Sequence, residues 1–473
     1  MEDSSTDRRS RMARGGIEEN ILAILDATDS KDDQDTNDDR IAFLDAVRAA
    51  SIDQDNATPP TNKMYEAVFQ ILRVGKSVEL IMESYRLLNE LDKSFPRVYL
   101  ANKGAESSEF VAIEEAWSPF VFNLDITSGE KETAGKSSGP FDSSAFHLLV
   151  QDLVEVTNET SFQTSKIKSL GKMLLFQYLI DVLEGDFLSR NKAYKETMNW
   201  VLLRESLLSM LLTSRRINYK VLMKDCLSIM CRLCQYLAEL NNDLGSSDSS
   251  VEKPSQNGNP AVAIALTEVG SSTSIALQKL LKIILELDVS RKQADVQGCT
   301  TRADGVRTPL VEIILDELTY DRDMLYQFLQ IFNEPKWKLE IILQYFSKYI
   351  AKPSVRTRRS NSPIEDDGTF IGVLKGFSNV TTTKNITKRI GQDIVQMLLA
   401  HAFQAHLSLP SAEKDADGIF DSEDKFSSKS LVEICENVIS AFSSLKRTDE
   451  RMEILPFGKE ALFTAATILS INS

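Results

Sequence analysis

Histidine is almost missing from this 473-residue chain: His147, His401 and His406 are the whole supply. That leaves little for metal ligation or for proton transfer near neutral pH. His401 and His406 stand five residues apart, whereas two ligands on one helical face need a spacing of four. Five cysteines, an odd number in a long chain, argue for reduced thiols rather than a disulfide framework. Long apolar runs are absent too. Stretches such as Leu207–Leu212 fall far short of the ~18 residues of a membrane span. The start, Met1-Glu2-Asp3, has neither the basic region nor the apolar core of a secretory signal, so an intracellular protein is expected. Positive charge is in deficit: 54 Lys and Arg against 69 Asp and Glu leave a net charge of −15. Such a balance weighs against a dedicated nucleic-acid binder, although a local basic strip can still touch phosphate. Strand signals are confined to Val98–Leu100 and Phe120–Leu124.

Catalytic and cofactor motifs fare no better. Gly129 to Ser137 resembles a phosphate-binding loop but has five residues between its glycines where the cradle needs four, and Gly139-Pro140 follows where a helix should open. Gly75-Lys76-Ser77 has Gln70 at the first glycine position and a helical segment before it. Cys231-x-x-Cys234, with Cys226 nearby, has no second pair to complete a zinc site and lies inside an amphipathic helix. No G-x-S-x-G elbow occurs, and pairs such as Glu114-Glu115 and Asp316-Glu317 read as solvated helix faces. The expectation is a non-enzyme without metal or cofactor. Trp117, Trp200 and Trp337 sit at helical spacing among apolar neighbours and read as core anchors.

What the chain does have is helix. Hydrophobic residues make up 42% of it, enough for a sizeable core. Val311, Ile314, Leu315 and Leu318 recur at i, i+3, i+4 and i+7, and Leu339, Ile342, Leu343, Phe346 and Ile350 repeat the pattern. Thr308-Pro309 reads as an N-cap followed by proline at the first helical position. Thr61 reads as a cap for a helix through Tyr65 to Leu72. Further helices are expected over Leu80–Leu91, Phe110–Trp117, Phe146–Val154, Leu170–Leu183, Trp200–Leu212, Val221–Leu240, Ser274–Leu287, Ile394–Leu407, Leu431–Phe442 and Lys459–Leu469. Leu175, Leu179, Val182 and Leu183 trace one face, and Ser430 with Glu433 matches a capping box. The pattern predicts an all-α fold, an irregular armadillo- or HEAT-like solenoid, because so many helices must bury apolar faces against neighbours. Composition divides it into a mostly disordered tail (1–37), an N-terminal helical region (38–240), a flexible linker (241–270) and a C-terminal helical region (271–473). Polar linkers near 353–367 and 410–429 interrupt the last of these.

Two basic clusters stand out. Arg356, Arg358 and Arg359 lie in a linker ahead of Ser362-Pro363, and Lys384, Lys388 and Arg389 lie at the entry to the Ile394–Leu407 helix. The bland reading is a solvated linker and an ordinary helix start. The functional one is a nuclear-import or phosphate-contacting strip, modulated by phosphorylation of Ser362.

Several longer stretches resemble one plant family, the negative regulators of systemic acquired resistance. They are Ala46–Ser51 (AVRAAS), Pro59–Tyr65 (PPTNKMY), Glu115–Phe120 (EAWSPF), Glu196–Trp200 (ETMNW), Asp304–Asp321 with its DGVRTP and EIILDELTYD, Pro335–Ile341 (PKWKLEI), Lys384–Lys388 (KNITK) and Glu453–Glu460 (EILPFGKE). The resemblance fades around Ser128–Pro140, Asn241–Pro260 and Ser411–Lys429. It implies a non-enzymatic nuclear protein of armadillo-like fold that represses defence genes. It also implies a scaffold subunit of the SMC five/six complex in the role of non-SMC element six, acting in DNA-damage repair and homologous recombination. The partners implied are an element-five-like subunit and the SMC five/six core proteins, with direct DNA binding weak or absent and no membrane association. A transcriptional corepressor, working with transcription regulators on chromatin outside that complex, is the competing reading. No catalytic residues carry over.

Overall fold

Within the stretch from Lys166 to Thr197, Met173–Ile180 is apolar at every position but Gln177, and such a segment belongs at the centre of a core rather than on its edge. A computed structural model of the chain describes residues 33–52, 58–102, 108–113, 116–122, 141–158, 166–245, 260–305, 307–349, 369–378, 380–409 and 428–472. Its architecture is all-α, with seventeen α-helices among the described residues and a single two-stranded sheet. Two compact units divide it, Met1–Ile313 and Ile314–Ser473.

In the first unit the order is α1 (Asp33–Ser51), α2 (Asn62–Val74), α3 (Val78–Ser94), β1 (Val98–Asn102), β2 (Ser108–Ala112), α4 (Ser143–Asn158), α5 (Lys166–Thr197), α6 (Trp200–Arg204), α7 (Leu207–Thr213), α8 (Tyr219–Gly245) and α9 (Pro260–Val296). Helix α5 is the hub, packed against α2, α3, α4, α6, α7, α9 and both strands. Phe176, Tyr178, Leu179, Ile180, Leu183 and Phe187 are fully buried along it, so the single apolar face read from Leu175, Leu179, Val182 and Leu183 is in fact a burial on all sides. Its main partner is α9. Gln177 Nε2 donates to the Val269 carbonyl (3.0 Å) and to Thr273 Oγ1 (2.9 Å), Asn191 Nδ2 donates to Glu286 (3.2 Å), and the Tyr194 hydroxyl donates to the Ser290 carbonyl (3.1 Å). Both chain numbers rise together along this series, so α5 and α9 run parallel.

Several expectations change. The described residues between Phe110 and Trp117 are not helical; Ser108–Ala112 pairs antiparallel with Val98–Asn102, Leu100 facing Phe110. Alternating Ser108, Phe110 and Ala112 suit a short strand once β1 offers an edge. Phe120 makes an isolated bridge to Phe141 rather than entering a strand. Helix α9 begins at Pro260, well before Ser274 and inside the 241–270 segment read as a linker, and α1 begins at Asp33, inside the segment read as a tail. Trp200–Leu212 is two helices, broken at Glu205-Ser206, where Ser206 caps α7 by accepting from the Ser209 N–H (3.1 Å). Thr61 caps α2 as expected, accepting from Met64.

The second unit holds most of α10 (Leu310–Tyr320), then α11 (Arg322–Ile331), α12 (Pro335–Ser347), α13 (Phe370–Gly376), α14 (Val380–Ile390), α15 (Gln392–Leu407), α16 (Ser428–Thr448) and α17 (Pro456–Asn472). Here α15 is the hub, with every residue from Val395 to Ala400 buried and α12, α14, α16 and α17 around it. Helix α10 starts one residue after Pro309, so the proline precedes the helix. Its first amide, Leu310, is satisfied by Asp288 Oδ2 of α9 at 2.7 Å instead. Helix α16 opens at Ser428, two residues before the position read as its cap. Glu433 pairs with Lys375 (3.5 Å). Gln396, wholly buried, clamps the loop after α16: its Nε2 donates to the Glu453 carbonyl (3.2 Å) and its Oε1 accepts from the Leu455 N–H (3.0 Å). Gly458 starts the next helix against Phe442, Ile454 and Gln396, all within 3.0–3.3 Å of where a Cβ would stand.

Gln396→Leu keeps the volume of that side chain but strands two backbone groups. The expected loss is about 1–3 kcal/mol, read as a lower urea midpoint. An unshifted midpoint would mean that the loop finds other partners.

Candidate functional site

Several residues weighed for chemistry serve structure instead. Cys226 and Cys231 are buried in α8, and burial pushes the Cys226 thiol up, away from the reactive thiolate. Gly75 ends α2, and Ser77 caps α3 by accepting from the Leu80 N–H (3.2 Å). The Gly129–Ser137 stretch lies outside the described residues, as does Ser362. Trp200 and Trp337 are buried, and Trp117 stacks on Tyr65 with ring centres 5.2 Å apart. Among the described residues no group of three His, Cys, Asp or Glu side chains is arranged to hold a metal, and no helix is long and apolar enough to cross a membrane.

Two buried clusters carry charge. In the first unit, Arg307 pairs with Asp288 while its guanidinium lies 4.8 Å from the centre of the Tyr219 ring. This one carboxylate therefore holds Arg307 and also caps α10. Beside it, Asp304 accepts from the Thr301 N–H (2.6 Å) and from the Trp200 indole (3.2 Å). Burial alone would raise the Asp304 carboxyl, but those donors hold it below its ordinary value. The DGVRTP segment is thus a clasp of α6, α8 and α9. In the second unit, Lys338 of α12 donates its Nζ to the Leu329 carbonyl (2.8 Å) at the end of α11. Burial draws Lys338 down to about 8. Burial, aided by the charge of Lys338, draws His401 of α15 down to about 4.

The surface offers three candidate binding regions. A cleft of about 720 Å³ in the first unit lies among α3, β1, α5 and α9, lined by Tyr85, Asn89, Asp92, Arg97, Asp181 and Lys279 among others. Its charges are largely matched within the protein: Lys279 binds Asp181 (2.9 Å) and Glu184 (3.0 Å), and Glu90 binds Arg48 (3.0 Å). Such a cleft suits hydrogen bonding to a partner rather than proton transfer. In the second unit, Phe463 and Ile471 of α17 are 75% and 76% exposed, on a stretch from Ala461 to Ile471 that carries no charge. Tyr320, at the end of α10, is 88% exposed. Large exposed apolar groups of this kind mark interaction surfaces. Sequence reading missed them because core and interface faces of a helix share one composition.

Lys384, Lys388 and Arg389 form the third region. They do not sit at the entry to the following helix but on a helix of their own, α14, which ends at Gly391 with φ of 101°. Only glycine adopts that conformation readily, so α14 and α15 stay separate elements. The three cations are exposed, while Thr383, Ile386, Thr387 and Ile390 face inward. Arg356, Arg358 and Arg359 lie outside the described residues.

Two measurements follow from the buried charges. Asp288→Ala leaves Arg307 buried without its counter-charge and removes the α10 cap. The expected cost is about 3–5 kcal/mol, checked by thermal unfolding, with a near-silent change counting against the clasp. His401 is held neutral in the fold and protonates more readily once unfolded. Unfolding therefore takes up a proton between pH about 6.5 and about 4, and stability is present above that window and lost as pH falls through it. In His401→Gln the slope of unfolding free energy against pH in that window should flatten; an unaltered slope would assign the acid sensitivity elsewhere.

The model of the SNI1 middle domain matches residues 97–334, and that of the SNI1 C-terminal domain matches residues 350–473. No solved structure matches the fold. A protein of Arabidopsis thaliana, the negative regulator of systemic acquired resistance SNI1, is 48% identical over 460 residues, covering 97% of this chain and 96% of the relative. A match of that length and depth leaves both helical units accounted for, and the chain belongs to the SNI1 family.

Proposed function

We propose that this chain restrains systemic acquired resistance in a plant, acting in the nucleus as a non-enzymatic helical scaffold of the SMC five/six complex. The observation that carries the first part is the 48% identity, sustained over 97% of the chain, to a negative regulator of that response. The second part rests on the family resemblance, in which the chain takes the non-SMC-element-six role. It binds an element-five-like partner and the SMC core proteins, in the service of DNA-damage repair and homologous recombination. Surface chemistry supports a scaffold. The buried polar groups described above are engaged in holding helices together, while large apolar side chains stand exposed on α10 and α17. A bridging protein needs rigid faces with a few desolvating anchors and no pocket for chemistry.

The test is to tag the chain in its native cells, digest the nuclear extract with nuclease, and identify what co-purifies. Stoichiometric recovery of the SMC five/six subunits is the expected result. Recovery of transcription corepressors alone would replace the scaffold with a corepressor acting outside that complex. In parallel, removing the gene should raise defence transcripts in unchallenged tissue; unchanged transcripts would end the regulatory half of the proposal. A Phe463→Asp/Ile471→Asp variant should retain its melting temperature and lose most of the recovered partner. Full recovery would move the interface away from α17.

A further inference from the structure

Six exposed cations meet at one corner of the second unit, although the sequence puts them some sixty residues apart. Lys384, Lys388 and Arg389 occupy the outer side and last turns of α14. Lys446 and Arg447 occupy the last turn of α16, and Arg451 follows in the loop. Helix α14 packs on α16. The ends of both are fixed to the same point, since Gln392, two residues past α14, donates its Nε2 to Asp449 Oδ2 (3.3 Å), one residue past α16. The Gln396 clamp on Glu453 and Leu455 holds the loop that carries Arg451 against α15 in the same place. The C-terminal ends of α14 and α16 therefore lie side by side. Among the described residues none of the six cations takes part in an ion pair, whereas Arg48, Lys279 and Arg307 in the first unit are each matched to carboxylates. Four carboxylates share the corner: Asp393, Asp449, Glu450 and Glu453. Asp449 is already occupied by Gln392 and by the Arg451 N–H (3.1 Å).

Cations in the last turn of a helix complement its dipole, and that accounts for a pair at each end. It does not account for two such ends converging, for Lys384 a turn earlier, or for Arg451 beyond the helix. We propose that this corner is a contact surface for the phosphate backbone of duplex DNA, independent of base sequence. The choice of partner rests on what surrounds the charges. Among the described residues, no large apolar side chain is exposed in the second half of α14, at the end of α16 or in the loop through Glu453. A folded protein partner or an acidic peptide needs such an anchor to be held with useful affinity. A line of phosphates does not, because release of condensed counterions supplies the binding free energy. Absence of exposed aromatic rings also removes the stacking platform that a single strand uses. Binding through so few contacts, on a chain of net charge −15, is weak and confined to low and moderate salt.

The experiment measures fluorescence anisotropy of a labelled mixed-sequence DNA duplex, about three helical turns long, with the full chain at several salt concentrations. The unaltered chain should bind at low salt, with a slope of log affinity against log salt near −4 to −5, about 0.9 per phosphate contact. The quadruple variant Lys388→Glu/Arg389→Glu/Lys446→Glu/Arg447→Glu should bind at least tenfold more weakly, with a slope shallower by about 3.6, four contacts at about 0.9 each. A control variant carrying the same charge change on exposed residues of the first unit, Lys63→Glu/Lys93→Glu/Lys192→Glu/Lys195→Glu, should keep the full slope. All eight side chains are exposed, so circular dichroism of both variants should match the parent. Equal loss in the two variants would reduce the effect to net charge and overturn the proposal. So would no binding at the lowest salt, or binding of a polyglutamate peptide in preference to the duplex.

Discussion

The parallel register of α5 and α9 is the constraint on which the first unit depends. Apolar contact between two long helices is non-directional and tolerates sliding. A row of buried polar pairs does not, because each group displaced from its partner in a low-dielectric interior is left unsatisfied. Gln177, Asn191 and Tyr194 on α5 meet Thr273, Glu286 and Ser290 on α9, and the numbering offset stays between 92 and 99 across the whole row. With that register fixed, the rest of α5 becomes a shared wall for α2, α3, α4 and the β1–β2 hairpin. The cleft beside Asp181 and Lys279 opens along this wall, among α3, β1, α5 and α9.

The second unit applies the same device at smaller scale. Gln396 clamps a loop, Lys338 caps the end of α11, and the short helices around α15 are held by these points as well as by their apolar faces. In both units the polar side chains inside act on backbone and on one another. What such an interior provides is shape that persists, which is the property a bridging protein uses. The chemistry available to a partner is therefore on the outside, in apolar groups such as Phe463 and in the exposed cations at the ends of α14 and α16.

Much of this was legible in the sequence. Helical periodicity locates most of the helices, Thr61 caps the helix it precedes, and the family stretches carry the kinship. Errors gathered where local signal is weakest. Phe110 to Trp117 looks amphipathic, yet its first three residues pair with β1, because a strand partner outweighs a short helical tendency. The capping box at Ser430 and the proline start at Pro309 matched their motifs by spacing alone, while the helices they were to open begin two residues before the one and one residue after the other.

The sequence by itself determined the class of molecule: helical, acidic, poor in the residues that perform chemistry, and a member of one regulatory family. The first three follow from composition and periodicity, which are local or additive properties of a chain; the kinship rests instead on the particular stretches that resemble the family. Tertiary structure alone decided which apolar residues are core and which are exposed, since Phe463 and Phe403 are alike in sequence and opposite in environment. It alone gave Asp288 the double task of holding Arg307 and opening α10. And it alone brought Lys446 and Arg447 beside Lys388 and Arg389, because which helix ends adjoin is set by packing between segments that no local pattern encodes.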